Sequence, residues 1–132
     1  MKLGYRLLDE ICNVNGFKEV QRLELVAGNA ATVYFRLTQQ LQDKSELRYV
    51  PQSGATVSVT FDNIDSNNAV VARVASNPFP GDTSIWSVPI LATDTIAFGS
   101  MQVTLTEGAT VRSLIPFSDI ATSETNSKRY FC

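Results

Sequence analysis

The sequence contains no histidine, and this absence removes several common ways of building an active site. Ser-His-Asp and Cys-His arrangements need an imidazole, as do most general acid–base schemes near neutral pH. Zinc sites that use histidine are excluded, and the two cysteines alone cannot complete a structural zinc site. The composition therefore predicts a chain that is not an enzyme and that carries no metal or other cofactor.

Carboxylates are the remaining candidates for chemistry, and their spacing does not bring them together. Asp9 and Glu10 are adjacent, so their side chains point apart on either a helix or a strand. The acidic and amide residues of 62–68 are only loosely similar to a calcium loop. Ile64 stands where a ligand is required and Asn68 where a glycine is required, which favours an ordinary turn. We predict no catalytic residue and no metal ligand.

Charge is scarce, since charged residues make up 18% of the 132 residues and the net charge is −2. The basic residues are scattered and form no stripe that could neutralise phosphates, so we expect no nucleic-acid partner. No apolar run reaches the roughly 20 residues that cross a bilayer, so we expect no membrane partner. The first residues lack the apolar stretch of a signal peptide, which predicts folding in a cytoplasm.

Cys12 and Cys132 are the two cysteines of the chain. Without an export signal, we expect their thiols to be reduced, with Cys12 packed as a small hydrophobic residue. A bridge between them needs Cα atoms within about 7 Å, which the sequence leaves open.

Strict alternation of apolar and polar residues is the strongest pattern in the sequence. It predicts half-buried strands over 31–38, 55–62, 85–91 and 100–107. The predicted core consists of the apolar residues that share one face of each strand: Val33, Phe35, Leu37, Val57, Val59, Phe61, Trp86, Val88, Ile90, Met101, Val103 and Leu105.

Further strands are predicted over 20–26, 46–51, 69–75 and 110–117, with turns rich in Gly, Pro and Asn between them. One of these turns, 82–84, is predicted to be capped by the Asp82 side chain and to lead into the Trp86 strand. About eight short strands indicate an all-β sandwich or barrel. We expect one β-sandwich domain over 18–117.

The segments on either side of this domain are predicted to be arms. Residues 1–17 fit either a short helix or an extended arm that adds a strand to a neighbouring subunit, and 118–132 form a polar tail with an aromatic end. The candidate interface consists of large side chains in the arms and two tyrosines of the domain: Tyr5, Leu8, Phe17, Tyr34, Tyr49, Tyr130 and Phe131.

Four successive stretches carry a resemblance to a known family: 32–37 (TVYFRL), 54–61 (GATVSVTF), 80–86 (PGDTSIW) and 93–108 (TDTIAFGSMQVTLTEG). Their order resembles that of the small immunoglobulin-like domains of tailed-phage virions, and most closely the N-terminal domain of phage upper baseplate proteins. The resemblance implies a single immunoglobulin-like antiparallel β-sandwich. It also implies a non-catalytic structural component of the tail, baseplate or neck, assembled in the host cytoplasm with other virion structural proteins.

Two other roles stay open. The chain ends soon after the sandwich, without the extensions that follow in baseplate proteins, which leaves capsid decoration (a cement protein of the head) as an alternative. A carbohydrate-binding module for host attachment would place Tyr34 and Tyr49 together on one concave face.

The strands contain few lysines, with Lys44 the one lysine of residues 31–117, so we expect a homo-oligomer or symmetric assembly built by edge pairing.

Overall fold

A computed structural model describes residues 2–11, 16–20, 22–26, 30–63, 69–79, 81–91, 98–117 and 119–123. Within these residues the chain forms twelve strands and no helix, so the all-β prediction is confirmed. The strands are β1 (Lys2–Ile11), β2 (Gly16–Glu19), β3 (Arg22–Val26), β4 (Ala31–Gln40), β5 (Glu46–Arg48), β6 (Thr56–Asn63), β7 (Ala69–Val74), β8 (Ile85–Ile90), β9 (Phe98–Glu107), β10 (Thr110–Ser113), β11 (Ile115–Pro116) and β12 (Asp119–Ser123). No helix long and apolar enough to span a membrane occurs in this part of the chain.

Six strands form the larger sheet, with β1 and β4 at its centre. These two strands pair antiparallel, with Lys2 opposite Gln40 and Leu8 opposite Tyr34. β2 and β11 share the other edge of β1, and β5 and β8 share the other edge of β4. Pro89 fits in β8 because an edge strand does not need every backbone N–H.

The smaller sheet has the strand order β10–β9–β6–β7 and is antiparallel throughout. β9 and β10 are joined by a two-residue turn, because Glu107 pairs with Thr110. Gly108, the first turn residue, has φ of 59°, a conformation that glycine adopts without the penalty that a Cβ brings. The remaining pair, β3 and β12, is parallel, as is the short pairing of β1 with β11.

The two larger sheets enclose one hydrophobic core. The larger sheet contributes Tyr5, Leu7, Val33, Phe35, Leu37, Trp86, Val88 and Ile90, and the smaller sheet contributes Val57, Val59, Val103 and Leu105. The predicted alternation accounts for the members from β4, β6, β8 and β9, since each of these strands directs every second side chain inward, whereas Tyr5 and Leu7 of β1 were not in the predicted core. Met101 is partly buried against the same cluster. Phe61 lies in β6, and its side chain is outside the described part.

The prediction that residues 1–17 form an arm or a short helix is wrong for residues 2–11, which form a central strand of the larger sheet. Tyr5 and Leu8 were expected at an interface, yet each is only 2% exposed within the domain. Tyr5 packs edge-on against Phe35, with 5.9 Å between ring centroids. Residues 119–123 of the predicted tail likewise form β12, beside β3.

Candidate interaction surfaces

The outer face of the smaller sheet is built from the polar half of the alternating pattern. Because directly paired residues point to the same side of a sheet, the register defines which side chains share this face. The part of it before the Asp62–Val70 pair near the end of β6 is called here the uncharged face, and it consists of Thr56, Ser58, Thr60, Ala72, Val74, Gln102, Thr104, Thr106, Val111 and Ser113. None of these ten side chains is ionisable.

Two valines stand out on the uncharged face. Val74 is 74% exposed and Val111 is 66% exposed, more than any other large hydrophobic residue in the described part of the chain. They lie on β7 and β10, the two outermost strands, with hydroxyl-bearing residues between them. At the usual strand and residue spacings, the ten residues cover about 330 Å². This is well below the roughly 800 Å² that each partner contributes to a standard stable interface.

The edges of the smaller sheet are less suited to pairing than its face. Arg73 lies opposite Val59 in the register, and Arg112 lies opposite Leu105, so each edge strand places an arginine at an inward position. A charge at an inward position of an edge strand disfavours the approach of a further strand, which would enclose it. Contact through the face is therefore favoured over the edge pairing that the low lysine content suggested.

The outer face of the larger sheet has the opposite character. Arg6 Nε donates to Glu46 Oε1 at 2.6 Å and Arg6 Nη2 donates to Glu46 Oε2 at 2.7 Å. The third nitrogen, Nη1, donates to the carbonyl oxygen of Phe117 at 2.9 Å, and the guanidinium lies 5.7 Å from the centre of the Phe117 ring. These contacts hold Glu46 of β5, and Phe117 immediately after β11, against Arg6 of β1.

A second group of ion pairs lies on the same face. Arg36 Nη1 donates to Glu19 Oε1 at 3.2 Å, and Arg48 Nη1 donates to Asp82 Oδ2 at 3.0 Å. Arg36 Nη2 lies 3.9 Å from the same Asp82 oxygen. Each of the three arginines described on this face is therefore paired with a carboxylate.

The carboxylates of this face are stabilised as anions. Hydrogen bonds from Arg6 lower the pKa of Glu46, and hydrogen bonds from Ser84, chiefly from its hydroxyl, lower the pKa of Asp82. A carboxylate with a lowered pKa is a poor proton donor at neutral pH. Among the side chains that the structure describes, no three His, Cys, Asp or Glu groups gather as metal ligands do.

The tyrosines expected at an interface lie on opposite sides of the larger sheet. Tyr34 alternates with the buried Val33 and Phe35 and so lies on the outer side, half-buried. Tyr49 packs against the core, and its hydroxyl donates to the Glu107 carboxylate of the other sheet, with oxygen–oxygen distances of 2.8 and 3.0 Å. The pair does not form the shared platform that a sugar site was expected to use.

For Phe17, Tyr130 and Phe131, the other residues expected at an interface, the structure describes no side chain. Phe17 lies in β2 opposite Glu10, and its side chain is outside the described part. Tyr130, Phe131, Cys12 and Cys132 also lie outside the described residues. The uncharged face itself was missed, although its signal is in the sequence: the outward positions of 56–60 and 102–106 contain Thr, Ser and Gln and no charge.

Comparison of the chain with models of known protein families, with curated proteins and with solved structures finds no match.

Proposed function

We propose that the chain is a non-catalytic structural subunit of a protein assembly, and that it packs against a second copy of itself through the uncharged face. The observation that carries the proposal is the contrast between the two outer faces. One has its three described arginines paired with carboxylates, whereas the other exposes two valines among hydroxyl groups and has no ionisable side chain among its ten residues.

A second copy fits this face because the same surface on another chain equally lacks ionisable side chains. Burying it requires no ion to be desolvated without a partner, a step that is costly at protein interfaces. Thr, Val, Ser and Ala have few side-chain rotamers, so ordering them against a partner costs little conformational entropy. The same patch on both subunits generates a two-fold contact.

The small area of the face indicates how the contact is used. About 330 Å² on each side supports a weak contact, which gains strength when a subunit makes several such contacts at once. In a symmetric particle, each subunit makes several such contacts at the same time. The resemblance of 31–117 to immunoglobulin-like virion domains supports a tailed-phage particle, at its tail, baseplate or neck, as the assembly.

Sedimentation velocity over a series of protein concentrations tests the face. The wild-type chain is expected to show a sedimentation coefficient that rises with concentration. Val111→Glu, which places a charge on the face, is expected to weaken self-association at least about tenfold, since enclosing an unpaired carboxylate costs several kcal/mol. Val50→Glu is the matched control, because Val50 is 56% exposed and does not belong to the face.

Equal self-association of the two glutamate variants would overturn the use of this face. A wild-type chain that stays monomeric at the highest concentrations would do the same. The location is tested separately by mass spectrometry of intact particles of the phage that encodes the chain. A fixed copy number relative to the major capsid protein is expected, and absence from purified particles would contradict the phage role.

A further inference from the structure

Val74 and Val111 lie on opposite edge strands of the smaller sheet, in neighbouring rows of paired residues. Val111 of β10 pairs with Thr106, which pairs on its other side with Thr56 of β6. Val74 of β7 pairs with Ser58, two residues further along β6. At the usual spacings between strands and along a strand, the two valines are about 16 Å apart. They are therefore too far apart to shield each other from water within one chain.

Two copies of a sheet face that meet around a two-fold axis have that axis in the plane of contact. Each residue then faces the residue at the mirror position across the axis, so the contacts occur in equivalent pairs. An axis midway between the valines, perpendicular to the line that joins them, sets Val111 of each chain against Val74 of the other. Apolar surface then meets apolar surface at both contacts, and neither valine covers a hydroxyl group that would lose its water.

The residues that lie near this axis can pair with their own copies. At the same spacings, Thr104 is about 8 Å from Val111 and about 10 Å from Val74, and Thr56 has the reverse distances. Both threonines therefore lie close to the axis, where each faces the same residue of the partner. A hydroxyl both donates and accepts, so two identical threonines can form a hydrogen bond, whereas two ammonium groups cannot.

A two-fold axis along the line that joins the valines would use the face less fully. It would set each valine against its own copy. However, most of the other residues of the face lie on one side of that line, among them Thr60, Ala72 and Gln102. These three would extend beyond the partner's uncharged face. The perpendicular axis divides the face more evenly and gives the larger overlap.

We propose that two copies associate around this perpendicular axis, so that Val111 of each subunit packs against the partner subunit's Val74. The arrangement rests on the proposed function, because it specifies the contact that the uncharged face makes. The two valines determine the relative rotation of the subunits, since the hydroxyl-bearing residues between them can pair in more than one register.

Opposite charges introduced at the two valines test the arrangement. Val74→Glu and Val111→Lys are each expected to weaken self-association at least about tenfold, because each encloses a charge without a partner. Combined in one chain, they place opposite charges against each other at both contacts. The combined variant is expected to associate at least about tenfold more tightly than the product of the two separate losses predicts, as measured by sedimentation velocity.

Val74→Glu combined with Val50→Lys is the matched control, because it makes the same changes in charge and Val50 does not belong to the uncharged face. It is expected to associate no better than Val74→Glu alone. Raising the salt concentration from about 0.05 M to about 0.5 M is expected to weaken the association of the Val74→Glu/Val111→Lys variant and not that of the wild type. All three valines are exposed, so the unfolding midpoints are expected to stay within about 2 °C of the wild type.

The arrangement would be overturned by a wild-type chain that self-associates while the Val74→Glu/Val111→Lys variant shows no recovery. Equal recovery in the control with Val50→Lys would also overturn it. A mixture of Val111→Glu and Val111→Lys chains is expected to stay dissociated, and its association would show that Val111 faces its own copy. That result and the first leave the proposed use of the face intact, whereas a wild-type chain that stays monomeric overturns both proposals.

Discussion

Arg6 and Glu46 are joined by two parallel hydrogen bonds, of 2.6 and 2.7 Å, although 40 residues separate them in the sequence. The pair connects β1 at the centre of the larger sheet to β5 at its edge. β5 has three residues, all exposed, and it pairs with β4 alone. Besides this short ladder, β5 is held by the Arg6–Glu46 pair at its start and by the Arg48–Asp82 pair at its end.

Breaking this ion pair is expected to reduce stability. Two-point hydrogen bonding between a guanidinium and a carboxylate is stronger than a typical surface ion pair, so Glu46→Gln is expected to lower the free energy of unfolding by about 1 kcal/mol. Arg6→Ala is expected to cost more, since it also removes the hydrogen bond to Phe117 and the contact with its ring. Urea denaturation measures both effects.

A double-mutant cycle separates the pair from the other contacts of Arg6. Arg6→Ala and Glu46→Ala, alone and combined, are expected to give a coupling energy of about 1 kcal/mol. A coupling energy of zero within error would show that the two side chains act independently. Arg6→Lys keeps the positive charge but cannot donate two parallel hydrogen bonds to the Glu46 carboxylate. Its coupling energy with Glu46 is therefore expected to be smaller than that of Arg6.

The same ion pair makes stability depend on pH on the acid side. The folded-state pKa of Glu46 is lowered from its ordinary value of 4.5, so the unfolded chain binds the proton more readily. Its contribution is therefore fully present above pH 4.5 and is lost as pH falls through the lower folded-state pKa. Glu46→Gln removes this contribution, so we expect its free energy of unfolding to fall less steeply than that of the wild type between about pH 5 and pH 3.

Asp82 contributes acid sensitivity of the same sign, because its pKa is lowered from 3.8. It is untouched by Glu46→Gln, so the variant is expected to keep a weaker acid-induced loss of stability at the lower end of the range. Denaturation curves recorded at several pH values measure the slopes. Identical slopes for the wild type and Glu46→Gln would contradict the assignment.

The sequence predicted the interior of the fold well because one physical rule governs it. Where one strand face is buried and the other solvated, alternation marks the strand, and β4, β6, β8 and β9 lie within about two residues of their predicted ranges. The turn before Trp86 was also predicted correctly, since Asp82 accepts hydrogen bonds from the backbone and hydroxyl of Ser84.

The same rule explains the failure at the N-terminus. β1 is covered on both sides, with Tyr5 and Leu7 toward the core and Gly4 and Leu8 buried on the outer side. A strand buried on both faces loses its alternation, and its apolar run cannot be distinguished from a helix by period alone. The contacts of Arg6 on the outer face could not be predicted from the sequence either, because its partners lie 40 and 111 residues away along the chain.

Gly4 leaves room for β11 and the Phe117 ring to lie close against β1. A Cβ added at Gly4 would overlap the carbonyl oxygen of Ile115 and would lie 2.6 Å from Cε2 of the Phe117 ring. We expect Gly4→Ala to destabilise the fold by about 3 kcal/mol, since well-packed regions resist an added methyl group. Thermal or urea unfolding measures the loss.

Gly81→Ala is the matched control for this prediction, because a Cβ at Gly81 meets nothing within 4 Å and its φ is not in the left-handed range. It is expected to leave stability unchanged within about 0.5 kcal/mol. Combining Gly4→Ala with Phe117→Ala is expected not to restore stability, because the backbone oxygen of Ile115 remains in place. Equal stabilities of Gly4→Ala and Gly81→Ala would contradict the proposed packing.

Tyr49 and Glu107 form a hydrogen bond between the two sheets, and we expect it to make stability fall at alkaline pH. Partial burial, and then the hydrogen bond to the Glu107 carboxylate, raise the pKa of the Tyr49 phenol above 10.0. The stabilisation is therefore present below the unfolded-state pKa and is lost as pH rises through the folded-state value. Tyr49→Phe is expected to cost about 1 kcal/mol at neutral pH and to weaken the alkaline loss. Unfolding curves from pH 7 to about pH 11 measure both effects, and a variant as alkali-sensitive as the wild type would show that other tyrosines control the transition.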